Sequence, residues 1–292
     1  MPCSTQGAIT RLSIASQQLP FKLIDDQTTR HLVDDNEDGI ITGLMDPLET
    51  RVSLGIVDIV LNVRLHPTPL ELTALFPYLG MTLSAGTATL DESVASFSMV
   101  IDRSAKVHTY ATCYVNTWTL GGQTSVTRPI YLDLQIFGTT FSEGVSFGSP
   151  TALVTDAPYP FTAGVLTLQS STRVFDRFAL TTRHNLQKQF ENSLTANCID
   201  MTHRRTTLAT SVGYVAANTD LHTTPQSAAT GAAATLAFTR GGQSDTITFT
   251  NVKSIARPAS IPGQVALRLP LFYRVYRTVA AKAFSIAHDD SI

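Results

Sequence analysis

Residues 55–80 read GIVDIVLNVRLHPTPLELTALFPYLG, and their patterning decides the fold class. Val57, Ile59, Leu61, Val63 and Leu65 fall on one side of an extended chain, with Asp58, Asn62 and Arg64 on the other. A period of two held over this length predicts a half-buried strand. After Leu65 the period changes. Leu72, Leu75, Phe76 and Leu79 recur at helical spacing, so a short helix is predicted within 67–80. Pro69 suits a first helical turn, and Pro77 ends or kinks the helix.

Working outward, the strand pattern dominates. Phe97, Met99 and Ile101 alternate with Ser96, Ser98 and Asp102. Ile130, Leu132, Leu134 and Ile136 alternate with Tyr131, Asp133 and Gln135, and Val265, Leu267, Leu269, Leu271 and Tyr273 alternate with Arg268 and Pro270. Pro270 has no N–H to give a ladder, so its strand is expected at an edge or with that position turned outward. Leu186, Phe190 and Leu194, at intervals of four, suggest a second short helix over 186–194. The expected fold is mainly β, with one or two short helices.

Several landmarks occur twice in the same order. Phe21-Lys22-Leu23 matches Phe178-Ala179-Leu180, ETRVSL (49–54) matches HRRTTL (203–208), and LHPTP (65–69) matches LHTTP (221–225). MVIDR (99–103) then matches LAFTR (236–240), and LDLQI (132–136) matches LRLPL (267–271). Order and spacing together imply duplication of a β-domain. Residues 1–155 are read as copy one, with a helix-containing insertion at about 67–95. Residues 156–292 are copy two, joined through the Gly-, Ser- and Pro-rich SFGSPTALVTDAPYP (146–160).

Composition bounds the function. The chain has 292 residues, enough for a proper core, and 43% are apolar. Only 15% are charged, below the roughly 25% usual for soluble domains. Few charges with much Thr and Ser point to surface that meets other subunits, a Thr-rich β-surface being the alternative. A net charge of −2 does not resemble that of a nucleic-acid binder. Cys3, Cys113 and Cys198 are odd in number and lack metal spacing, which argues against a disulfide scaffold. The start MPCSTQGAITRLSI lacks signal-peptide design, and no apolar run approaches the ~18 residues of a membrane helix. The expectation is a protein made in a cytoplasm that stays soluble or assembles there.

No motif carries chemistry. DDNEDG (34–39) supplies Asp34, Asn36, Asp38 and Gly39 of a calcium loop, but Met45 stands where a bidentate Glu belongs. It reads as an exposed acidic turn. GVSFG (144–148) fits the nucleophile-elbow pattern around Ser146, yet Pro150 falls where its helix should begin. His66 and His222 are placed at strand ends beside prolines, and their recurrence is explained by the repeat. THRR (202–205) is a small basic cluster whose counterpart LETR is acidic, so a solvated face or a salt bridge is expected. Trp118 is the sole tryptophan, with a core or interface role expected. No catalytic, cofactor-binding or metal residues are assigned.

These stretches resemble a family. Residues 51–80 look like the first sheet and short helix, ending in Leu79-Gly80, of tail tube proteins from long-tailed (siphovirus-like) bacteriophages. FSMVIDRSAKVHTYATCYVNTWTLGG (97–122) resembles the next hairpin, GAAATLAFTRGGQSDTITFTNVKSIARP (231–258) its counterpart in copy two, and PIYLDLQIFG (129–138) and QVALRLPLFYRVY (264–276) the closing strands. The resemblance implies two tandem similar β-sandwich or barrel domains with a flanking short helix, in a non-enzymatic virion protein without cofactors. It implies domains set side by side around a lumen, so that two-copy chains would form a trimeric, pseudo-sixfold ring; a hexamer with outward second domains is the alternative. Rings would stack on one another, meet other tail proteins at the tube ends, and pass double-stranded DNA without specific binding through a neutral or acidic lumen. The location implied is the virion tail, assembled in the host bacterial cytoplasm, with no membrane partner. Copy two lacks the helix of the family pattern. Leu72, Phe76 and Tyr78 in segment 70–95 are candidate inter-subunit or inter-ring contacts, or they cover the chain's own sandwich. The competing function is a two-domain β-sandwich binding or adhesin protein of a tail fibre or baseplate.

Overall fold

A computed structural model describes residues 10–34, 52–124, 129–151, 157–213, 215, 218, 220–223, 232–255 and 268–289. The first half contributes β1 (Arg11–Ile14), β2 (Gln17–Gln18), β3 (Phe21–Asp26), β4 (Thr29–Asp34), β5 (Val52–Leu65), β6 (Met81–Ser84), β7 (Thr87–Leu90), β8 (Phe97–Asp102), β9 (Val107–Gln123), β10 (Tyr131–Gly138) and β11 (Thr140–Gly144). The second contributes β12 (Val165–Leu168), β13 (Ser171–Arg173), β14 (Phe175–Arg183), β15 (Leu186–Gln189), β16 (Cys198–Met201), β17 (Arg205–Gly213), β18 (Ala232–Arg240), β19 (Gln243–Ser254), β20 (Arg268–Val275) and β21 (Phe284–Asp289). The fold is mainly β.

The strand read from 57–65 is β5, and it organises the first half. It pairs antiparallel with β3 and with β10; β10 pairs with β9, and β9 pairs across into the second half with β14. The sheet then continues through β17 to β20. Because each register is fixed, side chains line up in rows. Leu65, Leu132, Leu120, Leu180, Leu208 and Tyr273 form one row, all facing the core and none more than 5% exposed. Burying each leucine of such a row is worth about 1.5–3 kcal/mol. The row therefore fixes the register across the border between halves as firmly as within them.

β9 is long enough to serve two layers. Its start, Val107–Cys113, pairs with β8, and β11 lies on its other side; its later part pairs with β10. β1 and β2 complete that second layer. The second half repeats this order of pairings. β12 pairs with β13 and β18, β18 with β19, β19 with β20, β20 with β17, and β17 with β14. Two local details also recur. The β1–β2 turn has positive φ at Ala15 and Ser16, as the β12–β13 turn has at Gln169 and Ser170. The register shifts just after Phe21, opposite Leu65, and just after Phe175, opposite Val212.

The helix predicted within 67–80 is α1 (Pro69–Leu75), followed by a 3-10 turn over Phe76–Leu79. Thr68 and Glu71 form a reciprocal capping box, and Gly80 ends the segment at φ 74°. Trp118 Nε1 donates to Leu79 O at 3.0 Å, so this segment is pinned onto the core. The hairpin β6–β7 continues onward, and β7 pairs with β21, which itself pairs with β19. The first half thus clasps the second.

Three sequence expectations are corrected. Residues 186–194 are not helical: β15 takes 186–189 and pairs with β16, and Asn116 Oδ1 accepts from the Leu186 N–H. A long-range partner outcompetes the four-residue period, which rests on three apolar positions alone. His222 lies in the single helical turn α2 (Asp220–Thr223), not at a strand end. The recurrent bulge sets Phe175, rather than Phe178, against Phe21, and with it Val212, rather than Leu221, against Leu65 and Leu269, rather than Leu267, against Leu132. The strand expected at 265–273 is β20, its first residues lying outside those described. Pro270 stands opposite Ser211 of β17, and β19 meets β20 only at Tyr273–Val275. That leaves the proline with one strand neighbour among the described residues, as its missing N–H requires.

Candidate functional site: the open face of the continuous sheet

Alternate residues of the same strands point away from the leucine row. Arg64, Asp133, Thr119, Thr181, Thr207 and Arg274 stand side by side across six strands. Next to them run Tyr131, Gly121, Ala179, Ala209 and Phe272. The middle of this face, across the border between halves, is therefore small and uncharged. The Thr119 and Thr181 hydroxyls are 2.9 Å apart. The Tyr131 ring lies so close over Gly121 that a Cβ there would sit 2.6 Å from Cζ.

Charge begins immediately beside this belt: on the border strand β14 itself, exposed Arg177 and Arg183 stand one alternate position beyond Ala179 and Thr181. On the first half, Arg64 holds Asp133 with two bonds of 2.6 Å and covers the Tyr131 ring at 4.5 Å. The bond to Asp133 raises the Arg64 pKa, against a smaller effect of burial. Asp58 receives Lys188, whose Nζ also donates to Ile59 O at 2.7 Å and sits 4.4 Å over the Phe137 ring. On the second half Arg183, Arg205 and Arg274 are exposed, and Arg268 pairs with Asp176 at 3.5 Å. The second half of this face is basic, unlike the neutral or acidic lining expected for a channel.

At the edge of the basic region is a cavity of about 300 Å³, lined by Arg204, Arg205, Arg274, Arg277 and Lys282 with Glu92. Glu92 takes Lys282 at 2.7 Å and Arg277 at 3.4 Å. Arg204 Nε donates to His184 Nδ1 at 3.2 Å. Burial, then the Arg204 charge, push the His184 pKa down to about 3.

Of the residues singled out in the sequence, Leu72 and Phe76 face the chain's own core, 3% and 0% exposed. Tyr78 is half-buried and packs edge-on to Phe97 at 5.2 Å. The three share one segment but not one surface. Trp118 is buried, and His66 Nδ1 lies 3.0 Å from Ile130 O. Ser146 sits on an exposed turn, its Oγ accepting from the Gly148 N–H, and residues 147–151 after it are not helical. Asp34 ends β4, and residues 35–39 of the acidic turn lie outside those described, as does Cys3. Cys113 is buried, which pushes its thiol up to about 12, and Cys198 is exposed. Among the described residues no cluster of three His, Cys, Asp or Glu could hold a metal, and no helix is long and apolar enough to cross a membrane. The sequence reading missed the uncharged belt, although Thr and Ala at alternate positions of TWTLGG (117–122), ALTT (179–182) and TTLAT (206–210) carried its signal.

A chain that is mainly strand, with 19 of its 21 described strands joined in one sheet running through both halves and an uncharged belt across their border, belongs to the class of structural β-proteins. More particularly, the family model described as phage tail tube protein matches residues 7–271, and the chain belongs to that family. It is a structural protein of the phage tail. No curated protein matches it.

Proposed function

We propose that the chain is a major tail tube subunit made of two like units, about 1–155 and 156–292, three copies of which close into a pseudo-sixfold ring. The observation that carries this is the pairing of β9 with β14. Inside one chain, the outer strand of one unit takes the opening strand of the next. β3 holds in the first unit the place β14 holds in the second, yet among the described residues it pairs only with β5. A border closed within the chain and left with one partner at its start is what a ring of like units requires. The repeated order of pairings and the repeated bulge support the duplication.

The open face then lines the channel, and rings stack through unlike upper and lower faces. The belt of Thr119, Thr181, Thr207, Gly121, Ala179 and Ala209 itself offers passing double-stranded DNA no cation to hold, while Arg177, Arg183, Arg205 and Arg274 stand beside it on the same face. Of Leu72, Phe76 and Tyr78, only half-buried Tyr78 is left to meet a neighbouring subunit or ring. Assembly takes place in the host cytoplasm, with other tail proteins at the tube ends.

Negative-stain microscopy of the purified protein over a concentration series tests this. Rings or tubes with a central hole and threefold or sixfold averages are expected. A monomer at every concentration would overturn it.

A further inference from the structure

The arginine cavity has a counterpart in the first half, and the two differ in sign. Placing Phe175 on Phe21 sets Val212 on Leu65 and Leu269 on Leu132, because each pair stands opposite in its own half. Counting along strands that run without further register shift, Asp58 falls on Arg205, Ile59 on Thr206 and Phe137 on Arg274. In the first half this spot is occupied. The segment joining β14 to β17 crosses onto it, bonding Lys188 to Asp58 and Ile59 O and stacking on Phe137. Leu194 O also accepts from the Val57 N–H at 2.8 Å.

In the second half the same spot is the arginine cavity, and among the described residues no carboxylate pairs with Arg205 or Arg274. Like charges gathered in one cavity repel unless an anion joins them. The segment that corresponds to the β14–β17 connection is the one between β3 and β5. Its sequence carries Asp34, Asp35, Glu37 and Asp38 within five positions. The cation-on-carboxylate anchor of the first half has an acid-on-arginine complement available.

We propose that the acidic segment 34–38 of one copy docks into the Arg205–Arg274 cavity of the next copy in the ring. This rests on the tube reading above and adds what locks each border between chains. Sign inversion also gives the border its specificity. The acidic segment is repelled by Asp58, its own half's anchor, so it does not replace the Lys188 hairpin, and the hairpin's lysine is repelled by Arg205.

The test reverses charge on either side. R205E with R274E, and separately D35K with E37K and D38K, should each lower the ring fraction seen by microscopy and sedimentation by about tenfold or more. Combining all five in one chain should restore rings. Rings at wild-type level in either reversed set, or no rescue in the combination, would overturn the docking while leaving the tube reading intact. A wild-type chain that never forms rings overturns both. Folding is checked independently by cross-linking: E37C with R205C, in a chain carrying C3S and C198S, should give disulfide-linked oligomers ending at the trimer. Bonds formed only within single chains, or no bond under oxidation, would also overturn the docking.

Discussion

Leu120 of β9 and Leu180 of β14 stand directly opposite each other across the border between the halves, 3% and 0% exposed. On the other face their neighbours Thr119 and Thr181 share a hydroxyl contact of 2.9 Å. One side of the seam excludes water and the other meets it, so the two pairs should differ sharply in what they contribute. Leu180→Ala should cost about 2–5 kcal/mol by urea denaturation, through lost burial and a cavity. Thr119→Val with Thr181→Val should change stability by less than about 1 kcal/mol, since a half-exposed hydroxyl pair exchanges readily with water. Equal losses would mean that the seam is not held by its leucine row.

The adjacent glycines make a second contrast. A Cβ at Gly122 would meet Phe161 at 2.7 Å and Phe178 at 3.0 Å, both rings in the core. At Gly121 the obstacle is the outer end of Tyr131, a half-buried ring that can swing away. Gly122→Ala should therefore lower stability by about 1–3 kcal/mol, and Gly121→Ala by clearly less. Thermal unfolding of both variants decides, and a larger drop for Gly121→Ala contradicts the assignment of faces.

His184 gives a pH dependence with a definite sign. Its folded pKa is held at about 3, below the ordinary 6.5, by burial and by the neighbouring Arg204. Above 6.5 the ring is neutral in both states and has no effect. As pH falls below that value the unfolded chain takes up a proton that the folded chain refuses, so stability is lost progressively toward pH 3. Denaturation curves between these values should flatten in His184→Gln relative to wild type. An unchanged slope would mean that His184 protonates freely in the fold.

The Lys188 anchor is suited to a double-mutant cycle. Its side chain is 9% exposed while that of Asp58 is 43% exposed, so solvent screening discounts the pair. Asp58→Asn should cost about 1–2 kcal/mol and speed amide exchange over 186–201. In Lys188→Met, where an apolar chain still covers Phe137, the further loss from Asp58→Asn should vanish. Additive losses would show that Asp58 is held by something other than Lys188.

Much of this was legible along the chain. The alternation in 57–65 marked β5 and its two faces, and Pro69 and Pro77 marked the start of α1 and its end. The stripe of Leu72, Phe76 and Leu79 was legible too, but not its destination. Helical spacing says that a face is apolar and not what covers it. The same limit hid the strand at 186–189, whose first N–H is taken by Asn116, 70 positions away in sequence.

By itself, the sequence determined which side of each strand is apolar and roughly where each strand turns, since both follow from local geometry and residue type. Only the tertiary structure decided that β9 takes β14 as its neighbour, that small uncharged residues from three strands meet in one belt, and that Arg205 and Arg274 line one cavity. Those are choices of partner and register between segments distant in the chain. They are settled by the leucine row packing as one layer, a cooperative burial that no single segment encodes.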